Sequence, residues 1–161
     1  MKPFFKTVLI TGLFVGVTDI IAAHVSVWIQ SGNFPTKVLQ YIAGGALGLE
    51  TSMKGGVGTA LLGLLFHFFI ATSWTMFFFV ILPRLRFLHF NKYIVGFLYG
   101  IFVGAAMTFF ILPLSALPDS PFVFSRAIVG WSVLGAVLGI PIAVSAYRYY
   151  NIRPNAPAVM S

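Results

Sequence analysis

Four long apolar runs alternate along this chain with short segments marked by proline, glycine and charge. The runs cover residues 5–29, 55–82, 93–114 and 124–147. Each reaches the roughly 20 residues that a helix needs to cross the hydrocarbon core of a bilayer. Pro83 closes the second run and Pro113 lies near the end of the third. Pro141 falls inside the fourth, which a membrane helix tolerates when a neighbour satisfies the freed carbonyl. The segment from Ser31 to Lys54 is too polar and glycine-rich to be a span. Gln30-Ser31-Gly32-Asn33 is turn chemistry, and Pro35 suits the first turn of a new helix. Val38, Leu39, Ile42 and Ala46 then recur at helical spacing, with Gly44, Gly45 and Gly48 expected to end the stripe. The pattern predicts an all-α membrane protein. It is a four-transmembrane-helix bundle with a short helix between spans 1 and 2, lying in the outer interface or tucked against the bundle. Residues 1–150 form this single bundle, and 151–161 are expected to be a mobile cytoplasmic tail.

Lipid tails are as apolar as leucine, so burying leucine cannot by itself associate helices in a membrane, whereas close packing of small residues can. Every run carries such a seam. The first has Gly12 and Gly16, and the second has Gly56, Ala60, Gly63 and Ala71. The third has Gly96, Gly100 and Gly104, two consecutive GxxxG spacings, and the fourth has Ser132, Gly135, Gly139 and Ala143. Four seams on four helices predict a tightly packed bundle. The third-helix seam is also a candidate contact for a homo-oligomer.

Composition narrows the class. Only 8% of the 161 residues are charged and 59% are hydrophobic, against about 25% charged in a soluble domain. Cysteine is absent, which excludes disulfides and thiolate metal sites. The net charge of +7 does not signal nucleic acid, because the basic residues are scattered in short loops and at helix ends instead of forming one face. Their distribution gives orientation. Lys2, Lys6, Arg84, Arg86, Lys92, Arg148 and Arg153 fall on one side, while Lys37, Lys54 and Arg126 fall on the other beside Glu50 and Asp119. That bias places both termini and the 83–92 loop in the cytoplasm. The opening MKPFFK precedes an apolar run that continues to Ile29 without a small-residue cleavage pattern, so it reads as an uncleaved first helix.

The candidate chemistry begins with an acid inside the first run. Gly12, Gly16, Asp19, Ala23, Ser26 and Gln30 follow spacings of three and four and share one helical face. A carboxylate near mid-membrane is costly and faces protein. His67 lies within the second seam at a similar depth, so an antiparallel hairpin brings it to Asp19. A carboxylate–imidazole pair there either fixes the hairpin register by hydrogen bonding or holds and passes a proton. His24 lies about 140° round the helix from Asp19 and nearer the outer surface. A bis-histidine haem site using His24 and His67 would need ligands at one depth, and these differ by roughly 7–10 Å. No His, Asp or Glu cluster has metal-ligand spacing, so no metal or cofactor is expected. Arg126 is expected to snorkel to headgroups or to pair with Glu50 or Asp119. Ser115 and Ser125 lack a base or an oxyanion motif beside them, so no catalysis is expected.

Several stretches carry a family resemblance together. They are Asp19-Ile20-Ile21-Ala22-Ala23, the run from Val38 to Gly45, Gly55-Gly56, the run from Thr59 through His67 to Phe68, and the run from Pro113 to Pro118. Over nearly its whole length the chain resembles a set of small bacterial inner-membrane proteins of unassigned activity, with a looser similarity to the YagU group. The resemblance implies four spans in a bacterial inner membrane. It matches the acid of the first helix and the histidine of the second to Asp19 and His67. The fourth span in that group often carries a histidine in its first half, where this chain has Trp131. The expected function is therefore a non-enzymatic integral membrane protein with a structural or proton-linked Asp/His core. The alternatives are a small dimeric transporter using Asp19 as its membrane-embedded acid, or a membrane subunit of a larger complex. The lipid bilayer is the expected partner, nucleic acid is not, and any small-molecule or proton ligand is left unspecified.

Overall fold

A computed structural model describes residues 3–32, 37–85, 88–118 and 121–152. Lys2, Asn33, Pro35, Arg86, Asp119, Arg153 and the expected tail beyond it lie outside the described residues. The described chain is helical throughout, with no strand. In order it forms α1 (Phe4–Ser31), α2 (Val38–Leu47), α3 (Leu49–Lys54), α4 (Gly56–Ile81) and α5 (Lys92–Ala106), which runs on into a π-helical stretch, Met107–Ile111. The last long helix comprises α6 (Phe124–Leu134), a second π-helical stretch (Gly135–Gly139) and α7 (Ile140–Tyr150). Four helices, Phe4–Ser31, Gly56–Ile81, Lys92–Ile111 and Phe124–Tyr150, are long and apolar enough to cross a membrane.

Local chemistry sets the ends. Asn91 caps α5, its side-chain oxygen accepting from the Tyr93 and Ile94 amides at 2.9 and 3.3 Å. Gly48, at φ 79°, separates α2 from α3 in a backbone conformation that a side chain resists. Gly44 and Gly45, expected to end α2, instead lie inside it. A Cβ on Gly44 would meet Ser52 Oγ at 2.9 Å, so α3 folds back on that bare face. The Gly45 carbonyl accepts from the Ala116 amide at 2.8 Å, which ties the loop after the third long helix to α2. The third long helix stops at Ile111, short of residue 114, because the chain turns from Leu112 ahead of and through Pro113.

The glycine seams pack, though not all on the partners the sequence implied. A Cβ on Gly96 would stand 2.7 Å from the Gly139 carbonyl oxygen, and one on Gly100 would stand 2.5 Å from Gly135 Cα. Gly104 faces the Trp131 ring, and Gly135 faces Phe97. The third-helix seam is therefore filled by the fourth helix of the same chain. Gly12 meets Thr72, and Gly16 meets Phe68, so the first seam serves α4. Gly63 differs. The backbone of α2 at Leu39 and Ala43 occupies its face, so this seam seats the short helix and not another long one.

The two π-helical stretches have an i−5 bonding pattern. The Leu112 amide reaches the Met107 carbonyl at 2.8 Å, and the Ile140 amide reaches that of Gly135. The second stretch ends at Gly139, two residues before Pro141. Proline has no N–H for the carbonyl four residues back, which is Val137. Thr18 of α1 supplies a donor: its Oγ1 lies 3.0 Å from the Val137 oxygen and 3.0 Å from that of Val15 in its own helix, so one proton is shared between them.

Burial is uneven along the bundle. The core gathers its large side chains, Val8, Val15, Phe78, Phe79, Leu82, Val95, Tyr99, Ile142 and Tyr147, toward the end where α1 starts and α7 stops, and reaches the Asp19 cleft through Ala71, Val103 and Leu138. No residue of α1 beyond Gly16 is buried, and α6 buries none.

Candidate functional site

Asp19 and His67 both lie near the middle of their helices, and the Gly12 and Gly16 contacts hold those helices close enough for the two side chains to approach. His67 Nε2 is 2.8 Å from the Gly16 carbonyl oxygen and 3.9 Å from Asp19 Oδ2. A carbonyl only accepts, so Nε2 carries the proton and donates it to Gly16. The carboxylate stands one step further off, inside ion-pair range but beyond hydrogen-bond length. The expected pair is thus a triad in which a backbone oxygen of α1 takes the direct bond. Nothing in the sequence marks that oxygen, since any helical carbonyl has a second lone pair to offer. The Phe68 ring, edge-on to His67 at 5.7 Å, packs over Gly16 and limits how the imidazole can turn.

The pair opens onto a cleft of about 390 Å³. Asp19, Ala23 and Ser26 form its α1 wall, and His67 and Trp74 its α4 wall. Met107 and Leu138, one from each π-helical stretch, close the opposite side together with α6. The two side chains keep 22% and 11% of their surface exposed, so the pair is shielded but not sealed. π-helical insertions break the regular side-chain register and recur at functional sites. Here both contribute a side chain to one cavity. Trp131 donates from Nε1 to Thr108 Oγ1 at 3.2 Å and stacks near Phe109 and Phe122. It braces α6 on the π-helical end of the third helix.

The remaining candidates lie apart from this pair. His24 Nδ1 is 2.8 Å from the Ile20 carbonyl of its own helix, and His24 does not line the cleft. The two histidines are held on separate partners, which leaves the haem arrangement without support. Among the described residues no three His, Asp or Glu side chains gather as a metal site. Glu50 is taken by Lys54 at 2.6 Å in an exposed pair, so it is not the partner of Arg126. Arg126 is exposed, on the rim of a separate depression with Tyr41 and Thr108, and pairs with no acid among the described residues. Thr18 is the functional neighbour that sequence reasoning missed. The signal for it was present, because Pro141 announces an orphan carbonyl at Val137 and a hydroxyl at mid-height on α1 can answer it.

No family model, curated protein or solved structure matches this chain.

Proposed function

We propose that this is a non-enzymatic, multi-pass protein of a bacterial inner membrane with cytoplasmic termini, in which Asp19 and His67 form a proton-linked core bracing α1 on α4. Four long apolar helices support the membrane part, as do outward-facing side chains such as Leu65, Phe69, Leu98 and Phe102, all more than half exposed. The basic bias supports the orientation. The bacterial inner membrane is carried over from the resemblance read in the sequence alone. The α2–α3 segment, with its exposed Lys54–Glu50 pair, is read as the part at the outer interface.

One observation carries the proton-linked reading. The imidazole that pins α4 to the Gly16 carbonyl also lies 3.9 Å from the Asp19 carboxylate, in the wall of an open cleft. A brace alone needs one acceptor and gains from being sealed. Here a proton can arrive, and its arrival on the pair changes which oxygen the imidazole prefers. The test is detergent melting of wild type, Asp19→Asn, His67→Leu and the double variant at several pH values. The double should lose less than the sum of the singles, by about 1 kcal/mol, and the pH dependence of the wild type should vanish in Asp19→Asn. Strict additivity would remove the pair. Non-additivity without pH dependence would reduce it to a structural brace.

A second reading rests on a different feature. Asp19 is the sole carboxylate in the four long helices, and its cleft is otherwise mostly apolar. That combination suits a small transporter for lipophilic cations. Proton-driven uptake of such a cation into vesicles, lost in Asp19→Asn, would favour it.

A further inference from the structure

A second cavity, of about 420 Å³, lies between α1 and α7 and shares no lining residue with the Asp19 cleft. Its lining changes character along its length. Arg148, Tyr149 and Thr7 stand at the end near the chain termini, while Ile10, Phe14, Pro141 and Val144 line the rest. Thr11 and Ser145 also line it, and the hydrogen bond of 2.7 Å between Thr11 Oγ1 and Ser145 Oγ joins the two helices there and satisfies both hydroxyls on each other. From Arg148 to Pro141 the helix rises about 10 Å, so a polar head and the first part of an apolar tail fit the gradient.

Charge says which head. Arg148 is exposed, and among the described residues no carboxylate reaches it. It also lines a neighbouring depression with Lys92, so two cations flank the end of α7. The three acids of the chain stand at positions 19, 50 and 119, none in the segments that form this end. Among the described residues, Lys6, Arg84, Lys92 and Arg148 belong to the segments at this end. A zwitterionic headgroup would bring a cation of its own into this field, whereas an anionic one would not.

We propose that the α1–α7 groove binds one anionic phospholipid, its phosphate on Arg148 with Tyr149 and Thr7 beside it, and an acyl chain against Ile10, Phe14, Pro141 and Val144. The inference rests on the membrane reading but not on the Asp19–His67 core. A lipid held there covers the mouth between the first and last helices and ties their ends together without a protein partner.

The experiment is native mass spectrometry of the full chain released from nanodiscs of equal phosphatidylglycerol and phosphatidylcholine. Wild type should retain a single phosphatidylglycerol through mild delipidation. Arg148→Gln should lower that bound fraction about fivefold, and Val144→Trp, which fills the apolar part, should lower it too. Lys6→Gln, a surface charge on the same end outside the groove, should leave it unchanged. Equal retention of the two lipids, or equal loss in Arg148→Gln and Lys6→Gln, would overturn the proposal. Failure of the wild type to enter the nanodisc at all would overturn the membrane reading with it, so the two failures are distinguishable.

Discussion

The half of the bundle near the chain termini and the half beyond mid-height are built from the same four helices and hold together differently. In the first half large side chains fill the interior. Phe78, Phe79, Leu82, Ile142 and Tyr147 are almost fully buried, and Phe4, Phe79, Tyr149 and Tyr150 meet at ring separations of 4.8 to 6.3 Å. Tyrosine hydroxyls reach across it to backbone carbonyls: Tyr150 to Phe79 at 2.8 Å, Tyr99 to Trp74 at 2.6 Å, and Tyr147 to Leu88. In the second half α1 and α6 bury nothing, a short helix lies on the bare face at Gly63, and a cleft with the one intramembrane acid opens against the small edge of the core at Ala71, Val103 and Leu138. One half fixes the structure and the other leaves room for a ligand or a proton. Low local packing is what a moving or binding region requires.

The largest effect should come where the two halves meet. Gly100 stands at the crossing with Gly135, backbone against backbone, and neither side can give way as a flexible side chain would. Gly100→Leu should destabilise the bundle by about 3 kcal/mol or more. Phe102→Leu, two residues on and half exposed, should stay within about 0.5 kcal/mol. Detergent melting would decide it, and equal stability of the two variants would remove the glycine crossing from this account.

A smaller effect sharpens the contrast between the halves directly. Phe78 is 1% exposed, and Phe124, at the start of α6, is 62% exposed. In a bilayer the transfer term largely cancels, so truncation costs what packing is lost. Phe78→Ala should therefore cost about 2–3 kcal/mol, and Phe124→Ala less than about 0.5 kcal/mol. Hydrogen exchange on the same proteins should show faster opening in α6 than in α7. Equal protection of the two segments would mean that the difference in burial has no dynamic counterpart.

The sequence made the elements legible because apolar length, proline and glycine are local signals. The four helices stand within three residues of their expected limits, the widest differences being the third-helix end at Ile111 and the fourth-helix end at Tyr150. The approach of Asp19 to His67 was legible too, since depth and seam position can be counted along two antiparallel helices. The rest depended on relations that no single stretch carries. A π-helical insertion leaves the apolar pattern of Met107–Ile111 and Gly135–Gly139 looking like ordinary helix. Gly63 reads as a helix–helix seam whether a long helix or α2 sits on it. The direct acceptor for His67 is a backbone oxygen, which has no letter in the sequence.

The smallest effect tests how the open half is anchored to the packed one. Pro141 leaves the Val137 carbonyl without its usual donor, and Thr18, adjacent to Asp19, lies 3.0 Å away. This contact links the π-helical break of the last helix to the residue beside the acid, so it bears on both halves. Thr18→Val keeps the shape and removes the hydroxyl, leaving a part-buried carbonyl short of a partner. The expected cost is about 1 kcal/mol. Pro141→Ala restores an N–H to the helix, so the same Thr18→Val change in that background should cost close to nothing, a coupling of about 1 kcal/mol. Melting of the four proteins in one detergent measures it. An equal penalty for Thr18→Val in both backgrounds would mean that the hydroxyl serves only its own helix through Val15. The last helix would then be held at mid-height by its glycine crossings with α5, Gly96 on Gly139 and Gly100 on Gly135.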